Sequence, residues 1–167
     1  RNVVGVLGEA GYAVDLLCYP WGEEINLKGV RVLRSARLPG MREVGVGISG
    51  PKFVLDFLMF FRAWWLCWRN RYDVIHAVEE SAFFGAWLAR WFGARLVYDV
   101  DSLISGQLRD SGSPVFRFLA GWSERFEPAT IRHAALVLTV CRSLSDHVRS
   151  LVPDAKIAQI EDAPLQA

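Results

Sequence analysis

Two short polar clusters are the residues of this chain best suited to chemistry. His76, Glu79 and Glu80 close one apolar run, Val74-Ile75, and Asp99, Asp101 and Ser102 close another, Arg95-Leu96-Val97-Tyr98. A carboxylate within hydrogen-bond reach of a substrate hydroxyl can orient or deprotonate it, which makes each cluster a candidate acid–base site. Each residue also has a purely structural use. Asp101 can cap the turn that follows it. Glu79 and Glu80 can complement a helix dipole. His76 reads as a strand-end residue bonded to a backbone group, and His133 as a structural helix residue.

The elements that position these groups form a strand–helix–strand unit from Tyr72 to Ser102. Ser81 can cap a helix whose apolar positions Phe84, Trp87, Leu88 and Trp91 recur at helical spacing. Gly93 stands where a left-handed residue ends such a helix. A parallel unit of this kind brings both strand ends to one edge of the sheet, where open α/β sheets bind ligands.

The rest of the chain repeats the alternation. Arg1 to Gly11 reads as the second half of an amphipathic helix and Tyr12 to Cys18 as a strand, with a further short strand from Gly29 to Leu33. Arg34 to Gly50 is basic, glycine-rich loop that lacks a phosphate-loop pattern. Leu103 to Pro114 is a polar loop over the ligand edge, and Phe116 to Ala134 a helix interrupted by Pro128. Ala135 to Val140 is a strand ending at Cys141, Arg142 and Ser143, and Ser143 can cap the next helix, Leu144 to Leu151. Lys156 to Ile160 is a last strand. The expected fold is α/β: a Rossmann-like, doubly wound, mostly parallel sheet with helices on both faces. It is expected over one domain, 1–167, with the first strand and its glycine-rich turn lying before Arg1.

Lys52 to Arg71 is an unusual helix, with Phe53, Phe57, Phe60, Phe61, Trp64, Trp65 and Trp68 on adjoining faces. Asp56 and Arg62 interrupt any membrane span. Two placements remain open: a core helix nearly encircled by protein, or a helix whose aromatic face lies in a membrane interface. Trp64, Trp65, Trp68 and Arg69 are the membrane-contact candidates.

Bulk properties narrow the function classes. The 167 residues suffice for a real core. A net charge of +1 with no dominant basic stripe argues against nucleic-acid binding. Cys18, Cys67 and Cys141 stand far apart with no C-x-x-C spacing, so reduced buried thiols in a cytoplasmic protein are expected, with no metal site.

The order of these segments resembles the N-terminal, acceptor-side domain of the family 4 glycosyltransferases of the two-Rossmann GT-B fold. The resemblance rests on Gly11 to Leu16, Tyr72 to Ala77, Leu96 to Asp99, Ile131 to Val140 with Ser143-Leu144, and Lys156 to Ile160. It covers nearly the whole chain in the right order. Three positions depart from the family pattern. The second histidine of H-x-H is Val78. The family histidine near the anomeric carbon is replaced by Asp101. The closing I-P-N-G segment reads Ile160-Glu161-Asp162-Ala163.

The resemblance implies sugar transfer from a nucleotide-sugar donor, with retention and no metal. The donor would bind in a C-terminal domain that these residues do not include, so this fragment alone is expected to be inactive. The acceptor would be a glycan, a lipid-linked sugar or a small molecule. Asp101 is then the first candidate for the catalytic base. His76, Glu79, Glu80, Asp99, Ser102, Arg142 and Ser143 are candidates for holding the acceptor. The resemblance also implies a bacterial-type, cytoplasmic enzyme of glycan biosynthesis, peripheral on the inner face of the membrane. Two other classes stay open: a non-catalytic binding domain of the same fold, suggested by the histidine missing at Asp101, and an unrelated flavodoxin-like or response-regulator-like domain. The last is disfavoured because no acidic pair near the N-terminus precedes a phospho-acceptor aspartate.

Overall fold

The computed structural model describes residues 2–37, 50–102 and 125–161. The chain divides into two compact units, Arg1–Leu66 and Cys67–Ala167. Most of the glycine-rich stretch after Arg34, the loop from Leu103, the first part of the helix from Phe116 and the segment after Glu161 lie outside the described residues.

In the first unit, helix α1 (Asn2–Glu9) is followed by strand β1 (Val14–Cys18), which pairs in parallel with β2 (Val30–Arg34). Arg34, read from sequence as the start of a loop, closes β2 instead. Its guanidinium donates to the carbonyls of Tyr19, Trp21 and Glu23, at 3.2, 2.7 and 2.7 Å, and so holds the turn between the strands.

Helix α2 (Gly50–Arg69) is turned opposite to an ordinary amphipathic helix. Leu55 and Leu66 are buried, eleven residues apart and so on one face. Phe57, Phe61, Trp64 and Trp68 are exposed on the opposite face, and Val54 and Trp65 are exposed on its flank. The encircled core helix is therefore not what forms: two leucines point inward and five aromatic rings point out. Phe57 and Phe61 meet edge to face at 4.7 Å, and the Arg62 guanidinium lies 4.7 Å from the Trp65 ring centre. Among the described residues, no helix is long and apolar enough to cross a membrane.

The second unit is a four-stranded parallel sheet ordered β3-β4-β5-β6. The strands are Val74–Val78, Arg95–Val100, Ala134–Thr139 and Ile157–Gln159. They alternate with α3 (Ser81–Phe92), α4 (125–133) and α5 (Arg142–Leu151). Because each strand adds beside the previous one, right-handed crossovers put all three helices on the same face. Leu96, Tyr98, Val100 and Val137 point to that face and form the core with Ala82, Ala89, Ile131, Leu144 and Val148. Helix α3 stops where expected: Gly93 adopts φ 73°, and its N–H bonds the Ala89 carbonyl.

Two strand boundaries correct the sequence reading in a way that matters for the site. His76 lies inside β3 and Asp99 inside β4, although both are polar residues that read as strand ends. The helix starts differ as well. Glu80, not Ser81, is the N-cap of α3, and Cys141, not Ser143, is the N-cap of α5.

Candidate functional site

In the parallel register of β3 and β4, His76 stands opposite Val97 and Val78 opposite Asp99. His76 and Asp99 are therefore diagonal neighbours on one face of the sheet, the face opposite Tyr98. Diagonal pairs lie within reach of long side chains, and the two meet: His76 Nε2 is 3.0 Å from Asp99 Oδ2, with the side chains 25% and 21% exposed. The expected backbone partner for His76 is thus replaced by a carboxylate. An ionised carboxylate only accepts hydrogen bonds, so in the neutral imidazole this contact places the proton on Nε2 and leaves Nδ1 as the acceptor. The carboxylate orients the imidazole ring and fixes which nitrogen faces away from it.

The chain leaves β3 in a strained conformation. Glu79 has φ 50°, and it is the one positive-φ non-glycine residue among those described. Such a conformation persists where its surroundings over-determine it. Here the Glu79 N–H donates to the Asp99 carbonyl at 3.0 Å, and the Ser102 hydroxyl donates to Glu79 Oε1. Ser81 folds back, accepting from the Val78 N–H at 3.0 Å and donating to the Val78 carbonyl at 2.6 Å. Glu79 and Glu80 precede α3 instead of occupying its first turn.

His76, Asp99, Glu79 and Ser102 thus form one connected group at the C-terminal edge of β3 and β4. Asp101 follows β4 and is exposed, with no ion pair or side-chain hydrogen bond among the described residues. Arg142 and Ser143 are exposed beyond the end of β5. Arg142 is 89% exposed and reaches Asp146 only at 3.9 Å. Among the described residues, no hydrogen bond or ion pair links these two to the His76 group. Among the described residues, no three His, Cys, Asp or Glu side chains are grouped as metal ligands.

Sequence reasoning passed over Tyr98 as a strand residue. It is fully buried, yet among the described residues its hydroxyl has no hydrogen-bond partner. Burial, reinforced by the carboxylates of Glu127, Glu79 and Glu80, raises the phenol far above its ordinary range. The group stays neutral. Alternation with the site residue Asp99 was the available signal, because it points Tyr98 into the core. An unmet buried hydroxyl costs stability, so Tyr98→Phe should leave the free energy of urea unfolding unchanged or raise it by up to about 1 kcal/mol.

The three cysteines are free and half-buried, not fully buried as expected. Burial raises the Cys18 and Cys67 thiols. The Cys141 thiol is lowered, first by the Ser143 hydroxyl at 3.1 Å and then by the Leu144 N–H at the start of α5. A lower pKa means more thiolate at neutral pH. Iodoacetamide should therefore label Cys141 before the other two, with the gap narrowing as pH rises into the ordinary thiol range. Peptide mass mapping reads the order directly.

Parallel sheets flanked by helices, with a polar cluster at the carboxyl ends of the strands, define a Rossmann-like domain of the GT-B type. A family profile described as "Glycosyl transferase 4-like domain" matches residues 1–162, and the chain belongs to that family. Among solved structures it is similar in fold to sucrose-phosphate synthase from Thermosynechococcus elongatus. The TM-score is 0.67 at 14% identity, over 98% of this chain and 41% of that one. The chain thus spans less than half the length of that neighbour. No curated protein matches the sequence.

Proposed function

We propose that the chain is the acceptor-binding, N-terminal half of a sugar-nucleotide-dependent glycosyltransferase. The supporting observation is the His76–Asp99 pair with Glu79 and Ser102 beside it, at the sheet edge where open α/β folds bind ligands. In the reaction, an acceptor oxygen bonds to the anomeric carbon as the carbon–oxygen bond to the nucleoside diphosphate breaks. The diphosphate leaves with the electron pair, and the acceptor proton passes to a base. His76, with Nδ1 free, and the exposed Asp101 are the two groups suited to take it. The ordering contact from Asp99 favours His76. Glu79, Glu80, Ser102, Arg142 and Ser143 would hold acceptor hydroxyls or phosphate, and the nucleotide sugar would bind a C-terminal half. Retention of configuration, part of the same proposal, requires the acceptor oxygen to enter on the face from which the diphosphate leaves; independence from metal belongs to it too.

The exposed aromatic face of α2 supports a second part of it: peripheral docking on the cytoplasmic face of a membrane, where a lipid-linked or glycan acceptor would be met. Contiguous exposed apolar patches mark protein or membrane contacts. On α2 the face is rich in tryptophan, which favours a membrane–water interface.

Transfer from a panel of nucleotide sugars by the full-length chain, run beside Asp101→Ala, tests the enzymatic reading. Turnover of no donor would hand the reading to the non-catalytic alternative, which draws on Asp101 standing where the family has histidine. Phe61→Ser with Trp64→Ser should reduce flotation with vesicles and leave Tm within a few degrees. Unchanged flotation would remove α2 from the docking surface.

A further inference from the structure

At the opposite edge of the four-stranded sheet, the last turn of α2, the end of α3 and the starts of β3 and β4 enclose an open cavity of about 610 Å³. Its walls include Trp68, Arg71, Tyr72, Asp73, Trp91 and Arg95. The length of β3 separates it from the Glu79 end of the sheet by about 15 Å.

Trp68 and Trp91 are 68% and 63% exposed, and Trp87 packs on Trp91 with ring centres 4.5 Å apart. The guanidinium groups of Arg71, Arg90 and Arg95 are exposed and have no ion pair or hydrogen bond among the described residues. The carbonyl ends of α2 and α3 attract cations, which accounts for arginines gathering here. It does not account for two indoles left in water beside them. Trp rings with an apolar body and an N–H tip, next to uncompensated arginines, match the headgroup layer of an anionic membrane.

We infer that this cleft is a headgroup pocket for an anionic phospholipid with a polyol headgroup. Arg71 and Arg95 meet the lipid phosphate, and Trp68 and Trp91 rest at the boundary between headgroups and acyl chains. Asp73, exposed and without a cationic partner among the described residues, accepts from the headgroup hydroxyls. The inference rests on the docking reading above and adds to it a lipid class and a site.

Flotation of the full-length protein with phosphatidylcholine vesicles, with and without phosphatidylglycerol, tests it. Wild type should prefer the phosphatidylglycerol vesicles. R71Q combined with R95Q should weaken that binding about 30-fold, from roughly fivefold per basic residue at the surface. R125Q with R132Q, which removes two exposed arginines elsewhere on the unit, should change it less than about twofold. All four arginines are exposed, so Tm should stay put in both variants. If wild type floats and R71Q with R95Q floats equally well, docking stands and the headgroup pocket is wrong. If wild type floats with neither vesicle, the docking reading fails and takes this one with it. If soluble glycerol 3-phosphate releases the protein from vesicles at concentrations comparable to lipid phosphate, the pocket serves a free phosphate and the lipid assignment falls.

Discussion

His76→Ala in the full-length protein is expected to lower kcat by about 10²–10³-fold while leaving KM for the donor nearly unchanged. The magnitude is that of a positioned general base. The geometry behind it is the 3.0 Å contact with Asp99, which in the neutral imidazole would put the proton on Nε2 and leave Nδ1 for the acceptor proton. Asp99→Asn keeps the shape of the side chain but lets the amide donate to the ring, so the tautomer is no longer held. A loss of about tenfold or more should follow, smaller than for removing the imidazole. Asp101→Ala separates the two candidates. If it abolishes transfer while His76→Ala is harmless, Asp101 is the base and the histidine pair is structural. Steady-state kinetics with a saturating donor reads all three variants, and thermal unfolding of each checks that the fold survives.

Gly85→Leu should be the most damaging single change to the sheet that carries the site. A Cβ at position 85 would sit 2.8 Å from the Ala77 Cβ and 3.5 Å from Leu96 Cδ1. Real Cβ atoms do not approach that closely, so α3 would have to lift off β3 and β4. Leucine gains roughly 0.8 kcal/mol of helix propensity over glycine. Overpacking by a whole isobutyl group outweighs this, for a net loss of about 3 kcal/mol. Tm should fall by about 6–12 °C. Gly5→Ala is the control: the added methyl meets nothing within 4 Å on α1, so the propensity term acts alone and stability should rise by about 0.5–1 kcal/mol. A loss at position 5 as large as at position 85 would mean that crowding against β3 is not the cause.

Local pattern carried most of the architecture. The parallel alternation follows from apolar runs separated by helix-period stretches, and the end of α3 follows from Gly93, because glycine enters the left-handed region without a steric penalty. The convergence of His76, Glu79, Asp99 and Ser102 was legible too, since a crossover unit has to bring both strand ends to one edge.

Three features needed the tertiary structure. Polar residues inside a strand look like its end until a neighbouring strand is in register to pair with them. That is why His76 and Asp99 read as edge groups bonded to backbone and not as partners. Cap positions shifted by one or two residues for a similar reason: the Ser81 hydroxyl was captured by the Val78 backbone, and Glu80 took the N-cap position. The orientation of α2 was undecided because a helix apolar on nearly every side has no preferred inward face. The neighbours chose Leu55 and Leu66. By itself the sequence determined the order of elements, the edge they share and the residues gathered there. Only the packed chain decided which of those residues touch and which aromatic rings face out, because both depend on groups far apart in sequence meeting in space.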